Sequence, residues 1–310
     1  MSRGLTALSL FAAFALLLTG CPNKPSQSRG VSYVDLVKEK LTLPDPIDRA
    51  RELTKLMHAQ ATDGGDSFGA EETMKFAVKA CGEIDDPVRK VEAYCFLAEG
   101  QAAIKHSSDA KKSLKEALTF VEKVEGVPGK TRLYARIGRT QGRAGDIDGA
   151  AESIATAEEM TAQLEGPYEK ILALTDLAGS YTVIEKSEDV KRVVGTALKM
   201  AGALEDQRKQ CEAIAKVAAK LQEMKNPEEA RKAFDLAKAT AEKIEDPHSR
   251  CYAMIDIAKK LHEAGYPAEA RDLLNQAELL SNKISRPDFK QQTLVEIRTT
   301  IDKLNLSAGN

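Results

Sequence analysis

The sequence predicts an all-α chain: an α-α solenoid of about six helical hairpins followed by a C-terminal capping helix. Two observations carry this. The first is a 40-residue period. Residues 204–243 and 244–283 are identical at fourteen of forty positions without a gap. The period extends through three columns: Ala77, Ala117, Ala157, Ala197, Ala237 and Ala277; Ala70, Ala110, Ala150, Val190, Ala230 and Ala270; and Ile84, Val124, Leu164, Leu204, Ile244 and Ile284. Self-similarity at a period of this size marks a repeat architecture, in which one unit cannot bury its apolar face alone. The second observation is punctuation: each period holds two stretches of helical apolar spacing with their own start and stop signals.

Taken in order, residues 1–20 combine one basic residue, Arg3, with a nearly wholly apolar run over residues 5–18. That run has the proportions of a secretory signal and is too short to span a bilayer. Residues 21–31 contain Pro, Ser, Gly and Asn with little apolar content and read as a flexible tether. The solenoid is expected over residues 32–305, opening with a short helix at 32–41. Within each pair the first helix starts at an N-cap and a proline, as at Asp86-Pro87 and Asp246-Pro247. It ends at Gly145 or Gly265, or at Lys105 or Lys225 in the equivalent place. The second helix starts similarly, with Asn226-Pro227-Glu228-Glu229 reading as a cap, a proline and two acids at the positive end of the dipole. Alanine columns mark crossing points, because helices approach closely only where side chains are small. The first pair is expected to be degenerate, with His58 where the other copies are small. Residues 287–304 carry Leu294, Ile297, Ile301 and Leu304 on one face and read as a cap; residues 306–310 read as a disordered tail.

Two resemblances follow from these residues. Leu18-Thr19-Gly20-Cys21, placed after the apolar run, resembles the lipobox of bacterial lipoproteins. The resemblance implies that the Cys21 thiol takes a diacylglycerol, that cleavage follows Gly20, and that the new amine is often acylated too, as with palmitate. Several acyl chains on one residue satisfy the requirement for stable anchoring. An Asp after the cysteine would favour inner-membrane retention; Pro22 points instead to the outer membrane, facing the periplasm. The repeats resemble the tetratricopeptide repeat: Met254, Ile257, Ala258, Gly265, Ala270, Leu274 and Ala277 match its pattern, as do Tyr134, Ile137, Gly138, Gly145, Ala150, Ile154 and Ala157. The family repeat is 34 residues and this one is 40. The resemblance implies a scaffold for protein–protein interaction, whose first helices line a concave face.

Composition narrows the function. The chain carries 45 basic and 47 acidic residues, a net charge of −2, and loss of Arg3 with the leader makes this −3. Such a balance supplies no global field for nucleic acid. Tryptophan is absent, which argues against a sugar cleft built on stacked rings. No HExxH, GxSxG or phosphate-binding glycine loop appears, so no enzyme activity, cofactor or metal is expected. Cys81, Cys95, Cys211 and Cys251 admit three full pairings, but helical placement separates Cys81 from Cys95 by roughly 7 Å along the axes and Cys211 from Cys251 by one pair spacing. Free packed thiols are expected.

Two charged patterns remain. Arg49, Lys90, Lys130, Lys170, Arg250 and Lys290 form a column near the repeat starts, with Gln210 the exception. Acids stand five residues earlier at Asp85, Glu125, Glu165, Glu205 and Glu245. The column reads either as an anion-binding stripe or as a ladder of turn-to-helix ion pairs, the latter worth about 0–1 kcal/mol each. Arg132, Arg136, Arg139 and Arg143 fall at i, i+4, i+7 and i+11, one stripe on one helix. They could grip a carboxylate-rich segment or phosphate through bidentate bonds, or pair with Glu92 and Glu99 on the previous first helix and Asp176 on the next. The expected function is a membrane-anchored scaffold holding an unidentified envelope protein or peptide, assisting assembly of an envelope or secretion complex. The alternatives are a mainly structural envelope protein without a specific client, or an enzyme whose site is concealed.

Overall fold

In a computed structural model, residues 32–305 are described; Cys21, the lipobox, the tether and the tail lie outside them. Among the described residues fourteen helices occur and no strand. They are α1 (Tyr33–Leu41), α2 (Pro46–Thr62), α3 (Ser67–Gly82), α4 (Pro87–Ala103), α5 (Ser107–Val121), α6 (Val127–Arg143), α7 (Ile147–Gln163), α8 (Pro167–Val183), α9 (Ser187–Gly202), α10 (Gln207–Glu223), α11 (Pro227–Glu242), α12 (Pro247–Glu263), α13 (Pro267–Ser281) and α14 (Pro287–Lys303). The chain divides into two units, Met1–Glu116 and Ala117–Asn310, and the division falls inside α5.

The first helices, α2, α4, α6, α8, α10 and α12, are each 17 residues long. So is α14, which starts at Pro287, forty residues after Pro247. The capping helix is thus a further first helix in register with the period.

Their ends are built alike. Asp45, Asp86, Asp206 and Asp246 each accept a backbone N–H of the first turn. Gly126 and Gly166 stand in that place at α6 and α8 and provide no side-chain bond. At the other end, Gly65, Lys105, Gly145, Glu185, Lys225, Gly265 and Asn305 have φ between 51° and 84°. They recur every forty residues, whatever the residue type. His106, Asp146, Lys186, Asn226 and Tyr266 each donate N–H to the carbonyl five residues earlier, the longer bond of a Schellman C-cap. The left-handed turn sends each second helix back along its first.

The expected cap at Asn226 is different. Its side chain makes no capping bond, and the helix begins on Pro227 at its first position.

In the first unit α2 packs on α3 and α4, and Ser113 Oγ of α5 donates to Gln101 Oε1 of α4 at 2.8 Å. The first pair corrects a sequence expectation. Pro46 precedes Pro87 by forty-one residues while Gly65 precedes Lys105 by forty. One extra residue therefore lies between α2 and its left-handed turn, and α2 is shifted by one. His58 is exposed, and Met57, fully buried, occupies the small position. The facing residue makes room: a Cβ on Gly100 would lie 3.0 Å from Met57 Cε and 2.5 Å from Thr54 Cγ2.

In the second unit α6, α8, α10 and α12 each pack on their own second helix and on the next first helix, and α8, α10, α12 and α14 also pack on the preceding second helix. The alanine column lies on the second helices of both units: Ala77, Ala117, Ala157, Ala197, Ala237 and Ala277 all have no exposed surface. Phe234, Ile214 and Ile255 fill the space between them. On α14, Ile297 is buried while Leu294, Ile301 and Leu304 are half-buried. Cys81, Cys95, Cys211 and Cys251 are free and buried, and burial pushes the Cys81 and Cys211 thiols up to about 12.

Candidate functional site

Because first helices stack on first helices in the second unit, their outward faces form one surface. A cleft of about 510 Å³ opens there, lined by Arg132 of α6, Asp176 of α8, Lys216, Lys220 and Glu223 of α10, and Lys260 of α12. Its floor is Leu172, Thr175, Ala219 and Ala264.

Most of its charges are already bonded. Lys220 Nζ donates to Glu223 Oε2 and Lys260 Nζ to Glu263 Oε2, each at 2.5 Å; the two pairs stand forty residues apart. Lys216 Nζ lies 2.8 Å from Glu212 and donates to Tyr168 Oη at 2.7 Å, over whose ring it also sits. Burial pushes Glu223 upward, but the Lys220 bond and the charges of Lys220, Arg139 and Arg143 outweigh it and hold its carboxyl below the usual range.

Asp176 differs. It is half-buried, and no hydrogen bond or ion pair to its carboxylate occurs among the described residues. Burial pushes its carboxyl up, against the pull of Lys220, Arg139 and Arg132 and with a push from Glu223. The carboxylate is thus surrounded by cations that do not bond it directly.

The predicted arginine stripe does lie on one helix, α6, but its members have different fates. Arg132 and Arg143 are exposed, Arg136 and Arg139 half-buried. Arg136 and Arg143 are engaged with other groups. Arg139 Nη1 approaches Glu223 Oε1 at 3.8 Å, and its Nε is buried without a hydrogen-bond partner. The stripe therefore contributes Arg132 and Arg139 to the surroundings of Asp176. Sequence reasoning missed Lys220 and Lys260. The signal was a separation of forty-four, one period plus one helical turn: Arg132 to Asp176, Asp176 to Lys220, and Lys216 to Lys260.

The basic column near the repeat starts divides between bonds to helix-end carbonyls and ion pairs. Lys90 Nζ donates to Gly82 O at 3.0 Å, and Gln210 Nε2 donates to Gly202 O at 2.6 Å. Both carbonyls end a second helix. Arg49 instead bonds Leu43 O and Glu83, and Lys130 bonds Glu122. Gln210 takes the same role as Lys90, a donor to an orphan helix carbonyl.

Among the described residues no group of three His, Cys, Asp or Glu side chains is placed to hold a metal ion, and no helix is long and apolar enough to cross a membrane.

No family model and no curated protein matches this chain. Among solved structures it is similar to Ton1535 from Thermococcus onnurineus NA1, at 16% identity over 95% of this chain and 99% of that one, with a TM-score of 0.43. It is similar to BtubC from P. vanneervenii at 15% identity, over 81% of this chain and 91% of that one, with a TM-score of 0.38. A Rap protein complexed with Competence and Sporulation Factor is 14% identical over 97% of this chain and 93% of that one, with a TM-score of 0.35. The chain's own helices and forty-residue period make it a helical-repeat protein.

Proposed function

We propose that this chain is a lipid-anchored scaffold of the cell envelope, held to the membrane through Cys21 and binding another polypeptide on the first-helix face of its second unit. Two independent features support the reading. Leu18-Thr19-Gly20-Cys21 follows an apolar run of signal proportions, which supports lipidation and export. The cleft supports binding: it is open and draws charged side chains from α6, α8, α10 and α12 at once. A surface assembled from successive repeats suits an extended partner better than a small molecule enclosed by one element. The cleft is the observation that carries the binding half of the proposal.

The test is a cross-linking capture from envelope membranes, with saturation measured for the captured protein. The full chain is compared with Arg132→Glu/Arg139→Glu, and both retain Cys21. Capture that saturates in the first and is lost in the second, at unchanged helicity, supports the scaffold. Equal capture by both moves the binding surface elsewhere. In parallel, Cys21→Ser releases the chain into the soluble fraction; retention of that variant in membranes would overturn the lipid anchor.

A further inference from the structure

The scaffold reading leaves the chemistry of the partner open, and the surroundings of Asp176 address it. Arg132 is exposed, has no ion pair among the described residues, and stands on the cleft wall. Arg139 brings a guanidinium whose Nε is buried and unpartnered. A Cβ on Gly179 would lie 3.6 Å from Arg139 Nη1 and 3.8 Å from Lys220 Nζ. The two cations therefore converge over one glycine of α8, three residues beyond Asp176. Arg139 Nη1 is shared with Glu223 at 3.8 Å, so Arg132 is the guanidinium open to a carboxylate, which can take two of its donors at once.

Resting on the scaffold reading, we propose that this cleft takes an acidic polypeptide segment, seating one of its carboxylates against Arg132 and Lys220, and that Asp176 and Glu223 are the built-in competitors for those cations. The occupant is an extended chain because the cleft crosses α8, α10 and α12. First helices stack about 8–10 Å apart, so an extended segment at about 3.3 Å per residue advances about three residues per helix. Lys220 and Lys260, at the same repeat position, then meet acids spaced three residues apart once each releases its own glutamate.

Asp176 sets the condition for binding. A third carboxylate beside Asp176 and Glu223 cannot share these cations without mutual repulsion. The incoming one binds best when Asp176 holds a proton, and burial already favours that form. The charged groups acting on Asp176 are Arg132 and Arg139 from α6 and Lys220 and Glu223 from α10. Binding is linked to uptake of one proton, so affinity rises as pH falls.

The experiment is fluorescence anisotropy with the full chain in mild detergent. The probe is a labelled decapeptide with glutamate at every third position and serine between. Controls are the same peptide with glutamine and competition by inorganic phosphate. Expected are saturable binding of the glutamate probe, about tenfold weaker binding by Arg132→Gln, and at least severalfold tighter binding by Asp176→Asn at neutral pH. The wild type should bind more tightly at about pH 5.5 than at about pH 7.5 and Asp176→Asn should not. Arg132 is exposed, so its variant reads binding without a folding defect. Should Asp176→Asn melt early, the wild-type pH profile and Arg132→Gln decide. The proposal is overturned if the glutamine probe binds equally, if phosphate displaces the probe at equal concentration, if Arg132→Gln binds unchanged, or if wild-type affinity is flat with pH. Those results would leave the scaffold reading standing wherever the envelope capture is saturable and insensitive to Arg132.

Discussion

Exchanging Lys225 and Gly265 tests the repeat frame at its most exposed point. Both residues occupy the left-handed turn that ends a first helix, Lys225 at φ 59° and Gly265 at φ 84°. An L-residue there brings Cβ too close to the following carbonyl, costing about 1–2 kcal/mol. Glycine avoids that but enlarges the unfolded ensemble, returning about 0.4–1 kcal/mol. Lys225→Gly should therefore stabilise by about 0.5–1 kcal/mol and Gly265→Lys should destabilise by a similar amount. Nothing else confuses the comparison: a Cβ at Gly265 meets no atom within 4 Å, and Lys225 is exposed. For a unit of about 150–250 residues each change moves the melting temperature by about 1–4 °C, upward for the first and downward for the second. The double exchange should melt near the wild type. Thermal circular dichroism of the three variants is the assay. A Lys225→Gly variant that melts lower than wild type would refute the assignment of strain to this turn.

Other expectations follow from the same contacts. Helix propensity alone favours Gly100→Ala by about 1 kcal/mol, yet the new Cβ would meet Thr54 Cγ2 at 2.5 Å. Thr54 cannot easily turn away, since its Oγ1 donates to Ala50 O at 2.8 Å. The variant should lose about 1–2 kcal/mol net in urea unfolding, and Thr54→Ser in the same chain should restore part of it; a stabilised Gly100→Ala would contradict the packing. Asp246 caps α12, and the Ser249 hydroxyl, then its N–H, hold its carboxyl below the usual range. Its folded pKa is depressed, so its contribution is present above the unfolded value of about 3.9 and disappears as pH falls through the folded one. Asp246→Asn should flatten the fall of melting temperature in that acid window, and parallel curves would count against the linkage. Cys81 and Cys211, raised to about 12 by burial, should resist alkylation of the native chain at mildly alkaline pH. Rapid labelling at either would mean that those helices open freely.

The fold was legible because its information repeats. Six alanines at one spacing marked the second helices, and all six are fully buried. What escaped was carried by backbone geometry or by a partner on another helix. Register placed Lys105 and Lys225 beside Gly145 and Gly265, but that they and Glu185 take the left-handed turn is concealed by residue type. His58 was aligned by strict period, but the extra residue before Gly65 moved α2 by one and brought Met57 inward. Asn226 had a cap's composition without a cap's bond. The site was half legible: helical spacing put four arginines on one stripe, but Asp176 and Lys220 come from neighbouring helices and fix which two arginines matter.

The repeats also differ in how dry they are, and this has a consequence. One inner position reads Gln101, Gln141, Tyr181, Leu221 and Leu261 along the chain, and the residue twelve further on reads Ser113, Ser153, Val193, Ala233 and Leu273. At Gln101 the polar pair is complete, since Ser113 donates to it and both are buried. In the second unit Gln141 Oε1 is buried with no partner, although Ser153 is buried too. A buried acceptor left unbonded costs about 1–3 kcal/mol, whereas a completed pair is nearly neutral against an apolar replacement. Copying the fifth repeat into the third, as Gln141→Leu/Ser153→Ala, should therefore stabilise the chain by about 1–2 kcal/mol. Gln101→Leu alone breaks a bonded pair and should give no such gain. Opposite responses of two glutamines at equivalent positions, read by urea midpoints, would assign the difference to hydrogen-bond satisfaction; equal responses would assign it to packing volume instead.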